Sequence, residues 1–462
     1  MSERTERLSP SDMSSLLAER GPIHVHVGAT LVLEGEPPGL EELLDHVEGR
    51  LGLVPRFRQR VRSAPLGLIN PVWADDPRFD LGWHVRHTAL PRPGTVAQLR
   101  ELVARVMSEP LDLERPLWQL YLAEGLEGGR HAYISKTHHA LVDGVSAVDV
   151  GTIMLDPNPE GTELPIGEER WDPDEPSPEM LFVRAASEGI RERLGAARKA
   201  ARSALTMPRG TASAVMRTAE GFANLAARGP SAPRTFLNQE IGRARRLGFV
   251  STELAQLKRA RGKSGATVND VILSIVAGGL RRLFERRGEP LPEQLVALVP
   301  MSIRRPDEHL ELGNRIATLI VALPLSEADP VRRLDRVHQE TTRVKESEQA
   351  RAASLVIEAT GWTPPTVNRV LADVLARPLT WNLVVSNVPG PQIPFYLLGR
   401  RMVEVYPFVP LSPQGHALSV GVVSYDGGVF FGLAGDRDLF ADIDQVADDL
   451  EAALAEQLAT AG

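Results

Sequence analysis

The chain has 462 residues, of which 43% are hydrophobic and 24% are charged, and it contains no cysteine. This length exceeds the about 250–300 residues at which a single hydrophobic core stops growing, so two domains are expected. The composition is that of a globular protein, and the formal net charge of −8 at pH 7 argues against nucleic acid as the main partner. The lack of cysteine excludes disulfides, a thiol nucleophile and thiolate-bound zinc, and it fits a reducing compartment.

The sequence shows neither a signal peptide nor a membrane span. Its N-terminus is polar and charged and lacks the apolar core of a signal peptide. The longest apolar runs, such as 271–280 and 315–325, fall short of the about 18 residues that a transmembrane helix needs. We therefore expect a cytoplasmic protein whose contact with membranes is at most peripheral.

Helices and strands alternate from the start of the chain, as the periodicity of the apolar residues indicates. The predicted elements of the first part are a capped helix over 9–19, a strand over 23–35, helices over 39–52 and 95–109, and a β-hairpin over 117–126 and 131–139. Together they predict a mixed α/β domain over residues 1–155.

The composition changes at residue 156. From 156 to 179 there are nine acidic residues and six prolines but one arginine, which predicts an extended, solvated linker. From 184 to 246 the sign of the charge reverses, with thirteen lysines or arginines and four glutamates. Apolar and basic residues there recur at helical spacing, so the range 156–246 is interpreted as an acidic, proline-rich linker followed by a basic helical segment.

A second alternating part begins near residue 247. Its predicted elements are helices over 252–262 and 267–288 and strands over 294–302, 315–325, 382–390 and 417–436. The range 247–462 is therefore predicted to form a second α/β domain.

The stretch Ser-Lys-Thr-His-His-Ala-Leu-Val-Asp-Gly, residues 135–144, contains two adjacent histidines and an Asp-Gly pair. If the preceding strand continues to its end, alternation puts His138 on the face of Lys136 and His139 on the face of Thr137. The two imidazoles then point in opposite directions and cannot easily bind one metal ion. One of them can face a cleft while the other packs inside or orients the loop.

The residues alone leave three interpretations of this pair open. A histidine held at a strand end by the Asp143-Gly144 turn can act as a general base, because its ordinary pKa lies near neutrality. The pair can also be purely structural. A metal site would need a third ligand at a suitable spacing, and none stands out, so no metal is expected.

The motif over 138–144 matches the HHxxxDG motif of acyl-CoA-dependent acyltransferases and of peptide-synthetase condensation domains. Six further segments are LSPSDMSSLLAE (8–19), RPLWQLYLAEGL (115–126), VNDVILS (268–274), VPMSIR (299–304), LGNRIATLIVALP (312–324) and VSNVPGP (385–391). In this order, and over almost the whole chain, they resemble the bacterial wax ester synthase/diacylglycerol acyltransferase family.

The resemblance implies an α/β (α+β) fold with two chloramphenicol-acetyltransferase-like domains and an active-site tunnel at their interface. It also implies transfer of a fatty acyl group from acyl-CoA to diacylglycerol or to a long-chain alcohol, which makes triacylglycerol or a wax ester. Acyl-CoA is then a co-substrate, and no cofactor is expected.

The resemblance also assigns roles to residues of the central motif. His139 matches the catalytic base of the family, and a neutral imidazole can take the proton of the attacking alcohol. His138 and Gly144 complete the motif. Asp143 is interpreted as an anchor of the loop that pairs with Arg304, although Arg304 can equally end a strand at the surface.

Two further motifs leave two readings each. Asn269 is a candidate donor to the oxyanion, or else an ordinary first-turn residue of a helix that Thr267 caps. The substrate-binding candidates are Pro116, Leu117 and Trp118, which form either a wall of the acyl channel or a packing corner beneath the hairpin.

The implied partners are fatty acyl-CoA, the lipid acceptor, and the surface that holds the acceptor. A basic amphipathic segment such as 181–246 can lie on the inner face of a membrane or on a lipid droplet, or it can pack on its own protein. Two other functions stay open: the same chemistry on a polyketide or similar alcohol, and a lipid-droplet-binding protein without catalysis. An intact histidine motif counts against the second, because a binding protein has no need of a base.

Overall fold

A computed structural model of the chain describes residues 6–19, 21–63, 71–142, 154–162, 173, 180, 232–262, 264–302, 316–346, 381–411 and 415–460. The strands of these residues are β1 (Glu6–Arg7), β2 (His26–Glu34), β3 (Gln59–Arg62), β4 (Val72–Asp75), β5 (Val85–Ala89), β6 (Trp118–Leu126), β7 (Arg130–His138), β8 (Arg245–Glu253), β9 (Leu295–Ser302), β10 (Ile316–Leu323), β11 (Leu383–Pro389), β12 (Tyr396–Leu397), β13 (Arg400–Phe408), β14 (Leu418–Tyr425) and β15 (Gly428–Asp436).

The helices of the same residues include every helix that the sequence predicts outside the basic segment. They are α1 (Pro10–Ala18), α2 (Leu40–Leu51), α3 (Leu81–His84), α4 (Val96–Ser108), α5 (His139–Val142), α6 (Leu254–Ala260), α7 (Val268–Arg287), α8 (Pro330–Glu346) and α9 (Ile443–Ala459), with a short 3₁₀ helix at Pro55–Arg58. Three of them begin with a capping box, at Ser9, Thr95 and Thr267, which satisfies backbone N–H groups of the first turn. The predicted helices over 9–19, 95–109 and 267–288 are thereby confirmed.

The first large sheet has the strand order β12-β13-β2-β7-β6-β5. β6 and β7 pair antiparallel, with Leu122 opposite Tyr133, which confirms the predicted hairpin. β13 pairs antiparallel with β2, with Tyr406 opposite Thr30. The predicted domain boundaries would build this sheet from residues 1–155 alone. Its strands β12 and β13 come instead from the last third of the chain.

The second large sheet has the order β10-β9-β11-β14-β15-β8, and α7, α8 and α9 pack together with it. The middle of α7 is buried on nearly all sides, since Val271 through Leu280 contact either the sheet or the neighbouring helices. A helix that is apolar all round is expected to be buried in this way. α7 is therefore the central helix of the second half.

The two sheets meet where β13 crosses β14 and β15. Gly421 and Gly432 are cross-strand partners in β14 and β15. A Cβ added at Gly432 would lie 1.9 Å from the carbonyl oxygen of Pro407, and one added at Gly421 would lie 3.1 Å from the ring of the same proline. Beside them, the rings of Tyr406 and Phe249 stack at 4.1 Å. Glycine allows the backbones to approach this closely.

The start of the predicted linker is anchored to the first half. Asp156 is buried, its carboxylate accepts hydrogen bonds of 2.7 and 2.9 Å from Arg50 Nη2, and its backbone bridges to Tyr396. The prediction of a solvated linker from residue 156 is therefore wrong at its first residue, because an ion pair with α2 outweighs the local signal of prolines and acidic residues. Residues 163–231, apart from 173 and 180, lie outside the described residues. The described end of the basic segment, 232–246, is not helical as predicted: it is a loop that leads into β8, where Arg245 and Arg246 pair with β15.

Candidate active site

The adjacent histidines lie where β7 ends and α5 begins. β7 ends at His138, and α5 starts at His139, whose backbone N–H donates to the carbonyl oxygen of Val25 at 2.9 Å. The prediction that the strand continues through His139 is therefore wrong by one residue. The first turn of α5, not strand alternation with Thr137, directs the His139 side chain.

His138 has hydrogen-bond partners at both ring nitrogens and is fully buried. Its Nδ1 atom accepts from the backbone N–H of Ala140 at 3.1 Å, and its Nε2 atom lies 3.0 Å from Oε2 of Glu19. An acceptor Nδ1 carries no proton, so Nε2 is the donor to the carboxylate. His138 therefore joins α1 to the first turn of α5 and has no ring nitrogen left for a substrate.

Glu19 is shared between two histidines. Its Oε1 atom lies 3.4 Å from Nδ1 of His24, while Oε2 binds His138. Burial alone would raise the pKa of Glu19, but the hydrogen bond with His138 and the nearby imidazole of His24 outweigh it and lower the pKa to about 2. Glu19 is therefore an anion that holds the loop carrying the two histidines.

His139 differs from its neighbour in having a ring nitrogen without a partner. The side chain is half-buried, and within the described part of the chain its Nδ1 atom is buried and makes no hydrogen bond. Buried polar atoms without a partner are uncommon in folded proteins, and catalytic groups are among the exceptions. The geometry thus leaves the second histidine free to bind or deprotonate a ligand.

Asn269 lies in the first turn of α7 and is held by an asparagine of β11. Its Oδ1 atom accepts a hydrogen bond of 3.1 Å from Nδ2 of Asn387, whereas its own Nδ2 is buried without a partner in the described residues. The cap of α7 is made by Thr267 and Asp270 and does not use Asn269. The amide N–H₂ of Asn269 is therefore available as a donor.

The neighbouring Asp270 fixes the start of α7 on α8. This buried carboxylate accepts from Oγ1 of Thr341 at 2.7 Å, from Nδ1 of His338 at 2.9 Å and from the backbone N–H of Thr267 at 2.8 Å. Burial raises the pKa of Asp270, but these hydrogen bonds outweigh it, and the net shift is downward. Asp270 is thus structural and keeps the backbone of Asn269 in place.

The Pro116-Leu117-Trp118 segment is buried beneath the hairpin. The indole Nε1 of Trp118 donates to the carbonyl oxygen of Phe57 at 2.8 Å, and its ring stacks on that of His84 at 4.6 Å. These contacts fit a packing corner, which is one of the two interpretations of this motif; the other is a wall of the acyl channel. Contact with an acyl chain stays a prediction.

The segment also supports the histidine motif through the backbone. The carbonyl oxygen of Leu117 accepts the backbone N–H of His138 at 2.9 Å. Asp143, Gly144 and Arg304 lie outside the described residues, so the predicted ion pair stays a prediction. Among the residues described, no group of three histidines, aspartates or glutamates could hold a metal ion, and no helix among them is long and apolar enough to cross a membrane.

Three residues of the site were not assigned a role from the sequence: Glu19, His24 and Asn387. Glu19 and Asn387 belong to segments that carry the family resemblance, LSPSDMSSLLAE and VSNVPGP. Their position in those segments could have marked both residues as candidates for the site. Their partners lie more than a hundred residues away, and nothing in the local pattern identifies them.

The arrangement of the two sheets is found in solved structures. A wax ester synthase/diacylglycerol acyltransferase from Marinobacter aquaeolei VT8 superposes with a TM-score of 0.69, at 29% identity, over 99% of this chain and 100% of that one. The first condensation domain of the calcium-dependent antibiotic synthetase superposes with a TM-score of 0.61 at 17% identity, over 100% and 97%. The fold is the two-domain, chloramphenicol-acetyltransferase-like fold of these acyltransferases and condensation domains.

Sequence comparison narrows this class. The wax ester synthase/diacylglycerol acyltransferase catalytic domain matches residues 8–272, and the C-terminal domain of the same family matches residues 312–457. A probable diacylglycerol O-acyltransferase of Mycobacterium tuberculosis, tgs1, is 33% identical over 457 residues, which cover 98% of this chain and 96% of the relative. A putative diacylglycerol O-acyltransferase of the same species is 34% identical over 461 residues, covering 97% and 98%. The chain belongs to the wax ester synthase/diacylglycerol acyltransferase family.

Proposed function

We propose that the protein is an acyl-CoA-dependent O-acyltransferase that esterifies diacylglycerol or a long-chain alcohol. The observation that carries this proposal is the contrast between the two histidines. His138 uses both ring nitrogens in structural hydrogen bonds, whereas His139 keeps a buried nitrogen without a partner in the described residues. The substrate class follows from the relatives, which are named as diacylglycerol O-acyltransferases and as a wax ester synthase/diacylglycerol acyltransferase.

His139 acts as the general base in this proposal. Its neutral imidazole removes the proton of the acceptor hydroxyl while the oxygen attacks the thioester carbonyl carbon. The tetrahedral intermediate then collapses, the carbon–sulfur bond breaks, and the imidazolium returns its proton to the CoA sulfur. The products are an ester and free CoA. The reaction needs neither an acyl-enzyme nor a metal ion, and acyl-CoA enters as a co-substrate.

Asn269 supplies the donor for the oxyanion of the intermediate. Its N–H₂ group is buried and makes no hydrogen bond to the described residues. A donor fixed before the reaction stabilises the developing charge without reorganisation, and removal of one such donor costs about 10²–10³ in kcat in other enzymes. The predicted Asp143–Arg304 pair would hold the loop that carries His139.

The lipid acceptor implies contact with the surface in which it is dissolved. We propose that the protein binds peripherally to the inner face of a membrane or to lipid droplets. Diacylglycerol and long-chain alcohols have low solubility in water, which favours an enzyme that works at the interface. Co-sedimentation with anionic vesicles containing diacylglycerol tests this step, and protein that stays in the supernatant at low salt would exclude it.

The activity is tested by CoA release from palmitoyl-CoA, with and without diacylglycerol or hexadecanol. We expect release that depends on an acceptor, and a loss of about 10²–10⁴-fold in His139→Ala, the range for a positioned general base. His138→Ala is the matched control, because it removes the adjacent imidazole. It should lower kcat less and lower the free energy of unfolding by about 1–3 kcal/mol, since Glu19 and the Ala140 N–H lose a buried partner.

Two outcomes would contradict this assignment. Acceptor-independent release, or none, would remove the acyltransferase function. Equal losses of kcat in His138→Ala and His139→Ala, with unchanged stability in both, would show that His138 is not structural and that His139 is not the single base. His87→Ala, which removes an exposed histidine of β5, serves as the surface control and should match the wild type.

A further inference from the structure

Asn387 lies on the face of β11 that packs on α7. Leu383 and Val385 precede it at a spacing of two, and both are fully buried in the core that α7 shares with the sheet. Alternation along the strand directs Asn387 to the same face. It lies one step beyond the apolar contact, where α7 begins at Val268. A polar side chain therefore follows the core residues at the point where the strand reaches the first turn of the helix.

The side chain of Asn387 contacts Asn269 through a single hydrogen bond. Nδ2 of Asn387 donates to Oδ1 of Asn269 at 3.1 Å. An amide group is planar, so a fixed carbonyl oxygen also fixes the direction of the N–H₂ group on the other side. That N–H₂ group is the buried donor without a partner among the described residues. The hydrogen bond thus determines which atom of Asn269 is presented to a ligand.

We infer that Asn387 is a positioning residue of the acyl-transfer reaction, which orients the Asn269 amide so that its N–H₂ group faces the oxyanion. The inference rests on the proposed function. Without the bond from Asn387, Asn269 can rotate about its χ2 angle, and its carbonyl oxygen can take the place of the N–H₂ group. An oxygen there would repel the oxyanion instead of binding it. Asn387 never touches the reacting atoms and acts only through Asn269.

The variant Asn387→Asp tests the direction of this hydrogen bond. Aspartate has the shape of asparagine, but its carboxylate only accepts, so Asn269 would have to turn its N–H₂ group toward residue 387. We expect kcat to fall about 10²-fold, as when an oxyanion donor is lost, while the KM for palmitoyl-CoA stays within about twofold. Asn387→Ala releases the amide without turning it, and kcat should fall by about tenfold.

The double variant Asn269→Ala/Asn387→Asp separates orientation from charge. If Asn387 acts only through Asn269, the double variant is no slower than Asn269→Ala alone, because the group to be oriented is already missing. A double variant slower by the product of the two single losses would mean that the new carboxylate acts by its own charge, and the inference would be overturned. The melting temperature of each variant, compared with that of the wild type, shows whether folding contributes.

The remaining outcomes are also decisive. An active wild type together with an equally active Asn387→Asp variant would overturn the inference and leave the proposed function intact. A wild type that releases no CoA with either acceptor would remove the function, and the inference with it. If Asn387→Asp does not fold, Asn387→Ala decides: a tenfold loss of kcat at unchanged KM supports the inference, and wild-type kcat overturns it.

Discussion

At the scale of single residues, Glu19 determines what the histidine motif can do. Its carboxylate is within hydrogen-bonding distance of His138 and close to His24. Because His138 donates its Nε2 proton to this carboxylate, its tautomer is fixed and its Nδ1 atom stays an acceptor for Ala140. The imidazole is thereby committed to structure. The proposed division between a structural His138 and a reactive His139 thus depends on Glu19, the residue that follows the last turn of α1.

The low pKa of Glu19 predicts how its contribution to stability depends on pH. The folded-state value is about 2, below the ordinary value of 4.5, so the unfolded chain binds more protons between these two values. The contribution is therefore complete above about pH 4.5 and is lost as the pH falls toward about 2. Glu19→Gln should lower the free energy of unfolding at neutral pH, and its difference from the wild type should shrink on acidification.

Urea unfolding of both proteins over this range measures the difference. Glu253→Gln, a change at an exposed position at the start of α6, is the control for a simple loss of charge and should show a much smaller effect. A difference between Glu19→Gln and the wild type that does not change with pH would mean that the carboxylate is not held by the histidines.

Sequence reasoning about single residues went as far as local chemistry allows. It identified the histidine pair and Asn269 from their motifs, and it predicted that the two histidines differ in role. It erred on the end of β7, because the turn into α5 depends on the hydrogen bond from His139 to Val25, a residue of another segment. Glu19 and Asn387 were missed for a similar reason: both lie in segments that carry the family resemblance, but the residues that they bind are more than a hundred positions away.

At the scale of elements, local signals predicted helices α1, α2, α4, α6 and α7 and about half of the described strands. They missed the long helices α8 and α9, strands such as β8 and β13, and the long-range pairing of the strands. The capping residues and apolar periods of α1, α4 and α7 lie within each segment, so the sequence contains them. The pairing of β13 with β2 joins residues about 370 apart, such as Leu33 and Met402. No local pattern specifies a partner at that distance. β13 was not predicted as a strand, and its place in the first sheet was not predicted either.

The C-terminal end of α4 shows how a buried side chain completes an element. Lys136 of β7 is fully buried, and its Nζ atom donates to the carbonyl oxygen of Val106 at 2.8 Å and to that of Glu109. The last carbonyls of a helix have no partner within the helix. Lys136 supplies a hydrogen-bond donor for these carbonyls from the sheet. Its amine is buried as a result, and burial lowers the pKa of Lys136 to about 8.

This lowered pKa predicts a stability difference in the alkaline range. Between about 8 and the ordinary 10.5, the unfolded chain binds more protons at this residue than the folded chain. The stability of the wild type relative to Lys136→Met should therefore rise as the pH increases through this interval. Lys258→Met, at an exposed position of α6, should show no such rise. Parallel curves for the wild type and Lys136→Met would mean that the amine titrates normally.

At the scale of the whole molecule, two contacts among the described residues illustrate how the halves are joined. One links α4 to β8, where the backbone N–H of Arg245 donates to Oγ of Ser108 at 2.8 Å, and Nη2 of the same arginine donates to the carbonyl oxygen of Pro22 at 2.9 Å. The other is the crossing of β13 over β14 and β15. Since His139 and Asn269 belong to different halves, both contacts bear on how the proposed base and the proposed oxyanion donor are placed relative to each other.

The crossing predicts a strong effect for a single methyl group. In Gly432→Ala, the new Cβ would lie 1.9 Å from the carbonyl oxygen of Pro407, far inside van der Waals contact. Since both atoms belong to strands that pair with a neighbour on each side, one sheet must shift against the other. We expect the free energy of unfolding to fall by about 3 kcal/mol or more, as in severe overpacking of a core. We also expect a loss of CoA release at temperatures where the variant is still folded.

Gly49→Ala is the matched control, because Gly49 lies inside α2 and a Cβ there would meet nothing within 4 Å. That change should leave activity unaltered and raise stability by about 0.5–1 kcal/mol, as expected for glycine replaced by alanine inside a helix. Calorimetric melting together with CoA release at several temperatures distinguishes the two variants. If Gly432→Ala melted like the wild type, β13 would not approach β15 this closely. If it were destabilised but fully active while folded, the crossing would hold the halves together without setting the geometry between His139 and Asn269.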